Sequence, residues 1–131
     1  MLYLEIKDYY HKQINDFPII FAFSKEQFDE KYNTPMFKGL TLIKTGAGGY
    51  IRKKDRWKWL SLWSMRAQDI AALKENENAL LEAIVYELHN NEYCYSRDFK
   101  PIMETFDLNE SHNDLISRAI DQYLRRLTNG H

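Results

Sequence analysis

Apolar residues recur at helical and strand periods along the chain, and the alternation between the two periods predicts a mixed fold. Tyr3, Ile6, Tyr10, Ile14 and Phe17 stand three and four apart, the spacing of one face of a helix. "PIIFAF", residues 18–23, is a short apolar run rich in β-branched and aromatic residues with Pro18 at its start, and predicts a strand. Ser24 heads "SKEQFDEKY". A Ser at N-cap with Gln27 three residues later is a capping box, so a short helix is expected from there.

"GLTLIKTGAGGYIRK" predicts a hairpin. Leu40 and Leu42, with Ile43 on the opposite face, form one arm; Tyr50 and Ile51 form the other; Gly46 to Gly49 make the turn. A lone hairpin is marginal, so the strand at 18–23 is expected to pair with it. From Asp55 the period returns to helical, with Trp59, Leu62, Trp63, Arg66, Ile70 and Leu73 in one stripe. Asn76 or Asn78 interrupts it. A second helix is expected from about Glu77 to Asn90, with Leu80, Leu81, Ile84, Val85 and Leu88 inward. Asp98 is expected to cap a short helix running through Met103 and Phe106 with Pro101 in its first turn, and Asn109 to cap the last, whose stripe runs Leu115, Ile116, Ala119, Ile120, Tyr123, Leu124 and Leu127. The expected class is α+β: a small antiparallel three-stranded sheet packed against four or five helices, one domain over residues 1–131.

Composition supports a folded chain. The apolar share is 44% and the aromatic share 15%, enough surface to bury against chain entropy. No apolar run approaches the roughly 20 residues a membrane span needs. "MLYLEIKDYYHKQIND" is charged throughout, without the small-residue cleavage site of a signal peptide. The one Cys cannot form an internal disulfide, which fits a reducing cytosol.

Charge changes the picture more. Net charge is −1, but residues 44–66 carry Lys44, Arg52, Lys53, Lys54, Arg56, Lys58 and Arg66 against Asp55 alone. Residues 67–92 carry Lys74 against Asp69, Glu75, Glu77, Glu82, Glu87 and Glu92. A basic block is followed directly by an acidic one.

Four stretches carry candidate chemistry. In "YIRKKDRWKW" the cations Arg52, Lys53, Lys54, Arg56 and Lys58 are interleaved with Tyr50, Trp57 and Trp59. Cations neutralise phosphates and aromatics stack on unpaired bases, so this block is the candidate binding patch, Tyr50 included. A solvated helix face, or a block lying on the molecule's own carboxylates, explains the same charges. Glu77, Glu82, Glu87 and Glu92 form an alternative acidic face of phosphate-like charge. "YELHNNEYCYSRD", residues 86–98, gathers His89, Glu92 and Cys94, legitimate zinc ligands at a spacing that matches no metal pattern. The alternative is a helix C-terminus, with Asn90 or Asn91 in the left-handed cap and Tyr93 and Tyr95 on the core. A thiol nucleophile at Cys94, paired with His89 or His112, lacks a local orienting group and oxyanion donor. "GAGG" is followed by a strand and has neither glycine-loop phosphate motif, so a plain turn is expected.

"FAFSKEQFDE", "GAGGYIRKKD" and "YELHNNEYCYSRDFKPIMETFDL" together resemble an uncharacterised family of small phage and prophage proteins. Its pattern is a Phe-rich strand, a Lys–Glu–Gln–Phe helix, a glycine hairpin and a helix ending Tyr-Glu-Leu-x-Asn-x-Glu-Tyr, over about residues 20–127 here. Where that pattern places a His, this chain has Asn91, with His89 two positions earlier. The resemblance therefore carries no acid–base or metal role to that position, and the family brings no known activity. It implies a mobile genetic element as source and the cytoplasm of a bacterial host as setting. The function expected is a non-catalytic binder or inhibitor of a host protein or ribonucleoprotein complex, an anti-defence protein of anti-CRISPR type, with no cofactor. The alternatives are an accessory protein binding RNA or DNA through residues 52–58, and a small metal-dependent or thiol enzyme at residues 89–94.

Overall fold

The computed structural model describes residues 2–129. Helix α1 (Tyr3–Asp16) leads to strand β1 (Ile19–Phe21), helix α2 (Lys25–Tyr32), and the hairpin β2 (Leu42–Gly46) and β3 (Gly49–Arg52). A 3-10 turn at Lys53–Asp55 then enters α3 (Arg56–Lys74), followed by α4 (Glu77–Asn90), α5 (Tyr93–Ser96) and α6 (Lys100–Phe106). A second 3-10 turn, Glu110–His112, opens α7 (Asn113–Thr128). The class is α+β as expected. Seven α-helices stand among the described residues, more than four or five; one of them, α5, is a single turn that periodicity over longer windows cannot register. None is long and apolar enough to cross a membrane.

The chain divides into two compact units, Tyr9–Arg66 and Met1–Asp8 with Ala67–His131. In Tyr9–Arg66 the sheet has the order β1-β3-β2, all antiparallel. Ile51 sits opposite Ile19 on one side and Ile43 on the other. Being central, it is 1% exposed. The hairpin turns at Ala47 and Gly48, both with positive φ (50° and 78°), the primed turn whose twist suits adjoining antiparallel strands. Leu40 lies before β2 rather than in it, where its carbonyl accepts from the Tyr32 hydroxyl at 2.9 Å. Ser24 caps α2 by accepting from the Gln27 amide at 3.2 Å. The return bond of the expected box goes to the Phe23 amide (2.8 Å) instead of the cap residue's own. Trp59 is half-buried, edge-on to Phe17 at 5.0 Å, but Trp63 is 39% exposed and not a core residue.

In the other unit, α4 and α7 bring together Leu80, Ala83, Ile84, Val85, Leu88, Leu115, Ala119 and Tyr123, all buried. Ile102 and Phe106 of α6 are fully buried, and Phe106 meets the Tyr3 ring at 5.0 Å. Each such side chain contributes about 1.5–3 kcal/mol by leaving water. Asn76, of the two candidate breakers, is the one that caps α4, accepting from the Ala79 amide at 3.1 Å. The expected left-handed cap after α4 is displaced by one residue. Asn91 stays at φ −91° because its side-chain amide donates to the Glu87 carbonyl at 2.7 Å, and Glu92 takes the left-handed conformation, φ 51°. Tyr93 packs against Phe99 and Tyr123, whereas Tyr95 is 84% exposed and does not reach the core. Asp98 is not the cap of α6: Phe99 holds that position, and the Asp98 carboxylate one residue earlier accepts from the Lys100 amide at 3.1 Å. Asn109 caps the last helix through its 3-10 lead-in, with the Asn109 amide donating to His112 Nδ1 at 3.1 Å.

Candidate functional site

Strand β3 ends at Arg52 and α3 begins at Arg56, so four cations of the basic block fall on one 3-10 turn and the first helical turn. Asp55 anchors this corner. It is 4% exposed, and Arg52 Nε donates to its Oδ2 at 2.6 Å. The Lys53 amide donates to the Thr41 carbonyl at 2.8 Å, tying the turn to the segment before β2. With Asp55 turned inward, the flanking side chains of Lys53, Lys54 and Arg56 are left exposed. Among the described residues none of these three, nor Lys58, forms an ion pair.

Trp57 completes the arrangement. It is 72% exposed, and the Arg56 guanidinium lies 5.2 Å from its ring centroid, within cation–π range. A cleft of about 460 Å3 is lined by Leu40, Thr41, Arg52, Lys53, Lys54, Arg56 and Trp57. Trp57 also borders a neighbouring cleft of about 420 Å3 with Lys58, Tyr9 and Ser61. The structure thus brings Lys53, Lys54 and Arg56 to one cleft and Lys58 to the neighbouring cleft that Trp57 also borders. Arg52 lines the cleft but is committed to Asp55. Tyr50 is not part of this cleft: its ring meets Phe28 edge-on at 5.0 Å and lines a separate cleft with Phe23 and Lys25. Cross-strand pairing explains this, since Tyr50 stands between Ile20 and Lys44 and its alternation with Ile51 aims it at α2. Trp57 was legible as the Trp outside the Trp59–Leu62–Trp63 stripe. Only the coordinates show its exposure.

The acidic face is differently disposed. Glu77 is ion-paired to Arg118, and Glu82 meets Arg126 at 3.5 Å and the Gln122 amide at 3.3 Å. Glu87 is not on a face at all; it is 6% exposed, with Lys7 Nζ at 2.7 Å from Oε1. Glu92 is exposed. Three of the four carboxylates therefore already have a cation from their own unit.

His89 and Cys94 both reach Tyr123. The His89 ring stands edge-on to the phenol at 4.7 Å, and the Cys94 amide donates to Tyr123 Oη at 3.0 Å. Burial, helped by the Cys94 side chain, pushes the Tyr123 phenol above its ordinary value, while the Cys94 amide and the Arg97 charge act the other way. Among the described residues no three His, Cys, Asp or Glu side chains converge to share an ion, so His89, Glu92 and Cys94 do not form a ligand set. His112 is engaged as the cap acceptor at Asn109. The "GAGG" segment is the β2–β3 turn, as its sequence predicts.

The family model for DUF7659, a family of unknown function, matches residues 2–126. The chain belongs to that family. No curated protein and no solved structure matches the chain. The DUF7659 match covers both the basic corner and the Tyr123 cluster.

Proposed function

We propose that this DUF7659 protein is a non-catalytic binder that docks on a host macromolecular complex through the ledge formed by Lys53, Lys54, Arg56, Trp57 and Lys58. In the fuller form of this reading it is a phage or mobile-element accessory protein, acting inside a bacterial cell against a host defence assembly such as a ribonucleoprotein. The observation that carries the reading is the pairing pattern. The ion-paired acidic helix α4 has its charges matched by Lys7, Arg118 and Arg126, while the basic corner keeps four exposed cations beside an exposed indole. Unmatched charge of one sign steers an oppositely charged partner and speeds encounter. An exposed Trp among Arg and Lys is the residue type enriched where binding energy concentrates.

The test is capture from bacterial lysate with the full chain and with its Lys53→Glu/Lys54→Glu/Arg56→Glu variant, both first shown to be folded by circular dichroism and thermal melting. A defined host complex retained by the native chain and lost by the variant is the expected result. Retention of the same proteins by both chains, or none above a charge-matched control, ends the reading.

A further inference from the structure

We infer that the ledge takes single-stranded nucleic acid, with phosphates on Lys53, Lys54 and Arg56 and an unpaired base stacked on Trp57; this rests on the reading of the ledge as the binding surface. Three observations at one corner lead there. The cations are exposed and unpaired among the described residues, so contact with a polyanion displaces only solvent and counterions. Trp57 is 72% exposed, and among the described residues no other aromatic ring contacts it, whereas Trp59 meets both Phe17 and Trp63. The cleft between these groups, about 460 Å3, falls in the size range of small-ligand sites and admits a nucleotide-sized group.

The chemistry separates this partner from the alternatives. An acidic protein surface would satisfy the lysines and can seat the indole in a pocket, but it does not repeat an anion and a free π-face at every unit along a chain. A duplex keeps its bases stacked on each other and offers Trp57 only backbone. A single strand satisfies both groups at once, because each nucleotide carries a phosphate and a free π-face. Arg56 serves twice: its guanidinium lies over the Trp57 ring at 5.2 Å, positioning the indole, and it remains exposed for a phosphate. Lys58, in the neighbouring cleft that Trp57 also borders, extends the track by one further phosphate.

Fluorescence anisotropy of end-labelled dT and rU oligomers of about 15 nucleotides, and of a duplex of equal length, tests this at several salt concentrations; the two oligomers distinguish DNA from RNA. The full chain is expected to bind single strands in preference to duplex. With four phosphates engaged, log K should fall against log salt with a slope of about −3. Trp57→Ala should weaken binding roughly tenfold or more while Trp57→Phe keeps most of it, and Lys53→Glu/Lys54→Glu should flatten the salt slope. Equal affinity for duplex and single strand, or indifference to Trp57→Ala, overturns the inference. Capture of a host complex from nuclease-treated lysate, lost in the lysine variant while neither oligomer binds, overturns it as well but leaves the ledge reading standing with an acidic protein as partner. Oligomer binding that is lost in Trp57→Ala, with no captured complex, upholds the inference and the ledge as binding surface and removes only the docking on a host complex. Absence of both removes both.

Discussion

Lys7 places its ammonium 2.7 Å from the Glu87 carboxylate, a contact between residues eighty positions apart in sequence that lets an acidic side chain sit inside the fold. The second carboxylate oxygen has the Asn91 amide at 3.4 Å, and the ammonium lies 5.2 Å from the Tyr86 ring centroid. Glu87 is 6% exposed, so these neighbours stand where water would otherwise solvate its carboxylate. Lys7→Met is expected to destabilise the protein by about 1–3 kcal/mol. That is less than for a fully buried pair, because the lysine side chain is 36% exposed and water takes up part of the loss. Lys7→Met/Glu87→Gln should recover much of the difference, since the stranded charge is then gone. Urea unfolding of the two single variants and the double supplies the cycle; additive costs would show that the pair is not coupled.

The hairpin turn leaves stability to be gained. Ala47 occupies the left-handed region at φ 50°, a conformation an alanine adopts at a cost of about 1 kcal/mol. Ala47→Asn produces Asn-Gly, the pair this turn favours, and should raise stability by about 0.5–1 kcal/mol. Gly48→Ala is the opposite case. Its φ is 78°, and a Cβ there would collide with the Phe23 ring. Phe23→Ala should relieve the steric part of that penalty and leave the backbone part. Thermal melts of Ala47→Asn, Gly48→Ala, Phe23→Ala and the Phe23→Ala/Gly48→Ala double variant check both statements, and a lower Tm for Ala47→Asn would refute the turn assignment.

The turn residues, the capping Ser24 and Asn109, and the buried Leu115, Ala119 and Tyr123 of the α7 stripe were readable because each obeys a local rule, whereas Leu124 of the same stripe is 40% exposed. What was not readable depended on the far side of a contact. Nothing in the sequence around Glu87 marks it as buried, since its partner Lys7 is eighty positions away. Tyr50 belonged to the basic block by sequence but leaves it because β3 alternation points it at Phe28. Trp63 keeps the period of a core residue and is nonetheless exposed. Asp55 is the intermediate case: the Arg-x-x-Asp spacing allows an ion pair, but only burial shows that this one acid removes one cation from the ledge.

Tyr123 ties stability to alkaline pH. Burial raises its phenol above the ordinary value near 10, with the Cys94 side chain adding to the effect and the Arg97 charge opposing it; His89 packs edge-on to the ring. A folded-state value above the unfolded one means the neutral phenol is favoured in the fold. Its contribution is complete below about pH 10 and is lost as pH rises through the higher folded value. Urea unfolding between pH 8 and 11 should show the native protein losing stability more steeply above pH 10 than Tyr123→Phe. The variant should also cost about 1 kcal/mol at neutral pH, because the Cys94 amide loses its acceptor. Parallel pH curves would dismiss the linkage.

The Arg52–Asp55 pair sets the shape of the basic corner, and its removal should be felt in stability before binding is measured. Arg52 and Asp55 side chains are 18% and 6% exposed, and the bond is 2.6 Å. Asp55→Ala leaves a mostly buried guanidinium among Lys53, Lys54 and Arg56 with no carboxylate near it, at an expected cost of about 2–4 kcal/mol. Asp55→Asn keeps one acceptor for Nε and should cost roughly half as much. Arg52→Met strands the acid instead and should cost a comparable amount. Arg52→Met/Asp55→Leu replaces both charges with apolar groups and should be milder than either single change to one partner. Chemical unfolding of the four variants decides the matter. If the double variant is as damaged as the sum of the singles, the pair is not what holds the 3-10 turn, and the exposure of Lys53 and Lys54 must come from the Lys53–Thr41 backbone bond.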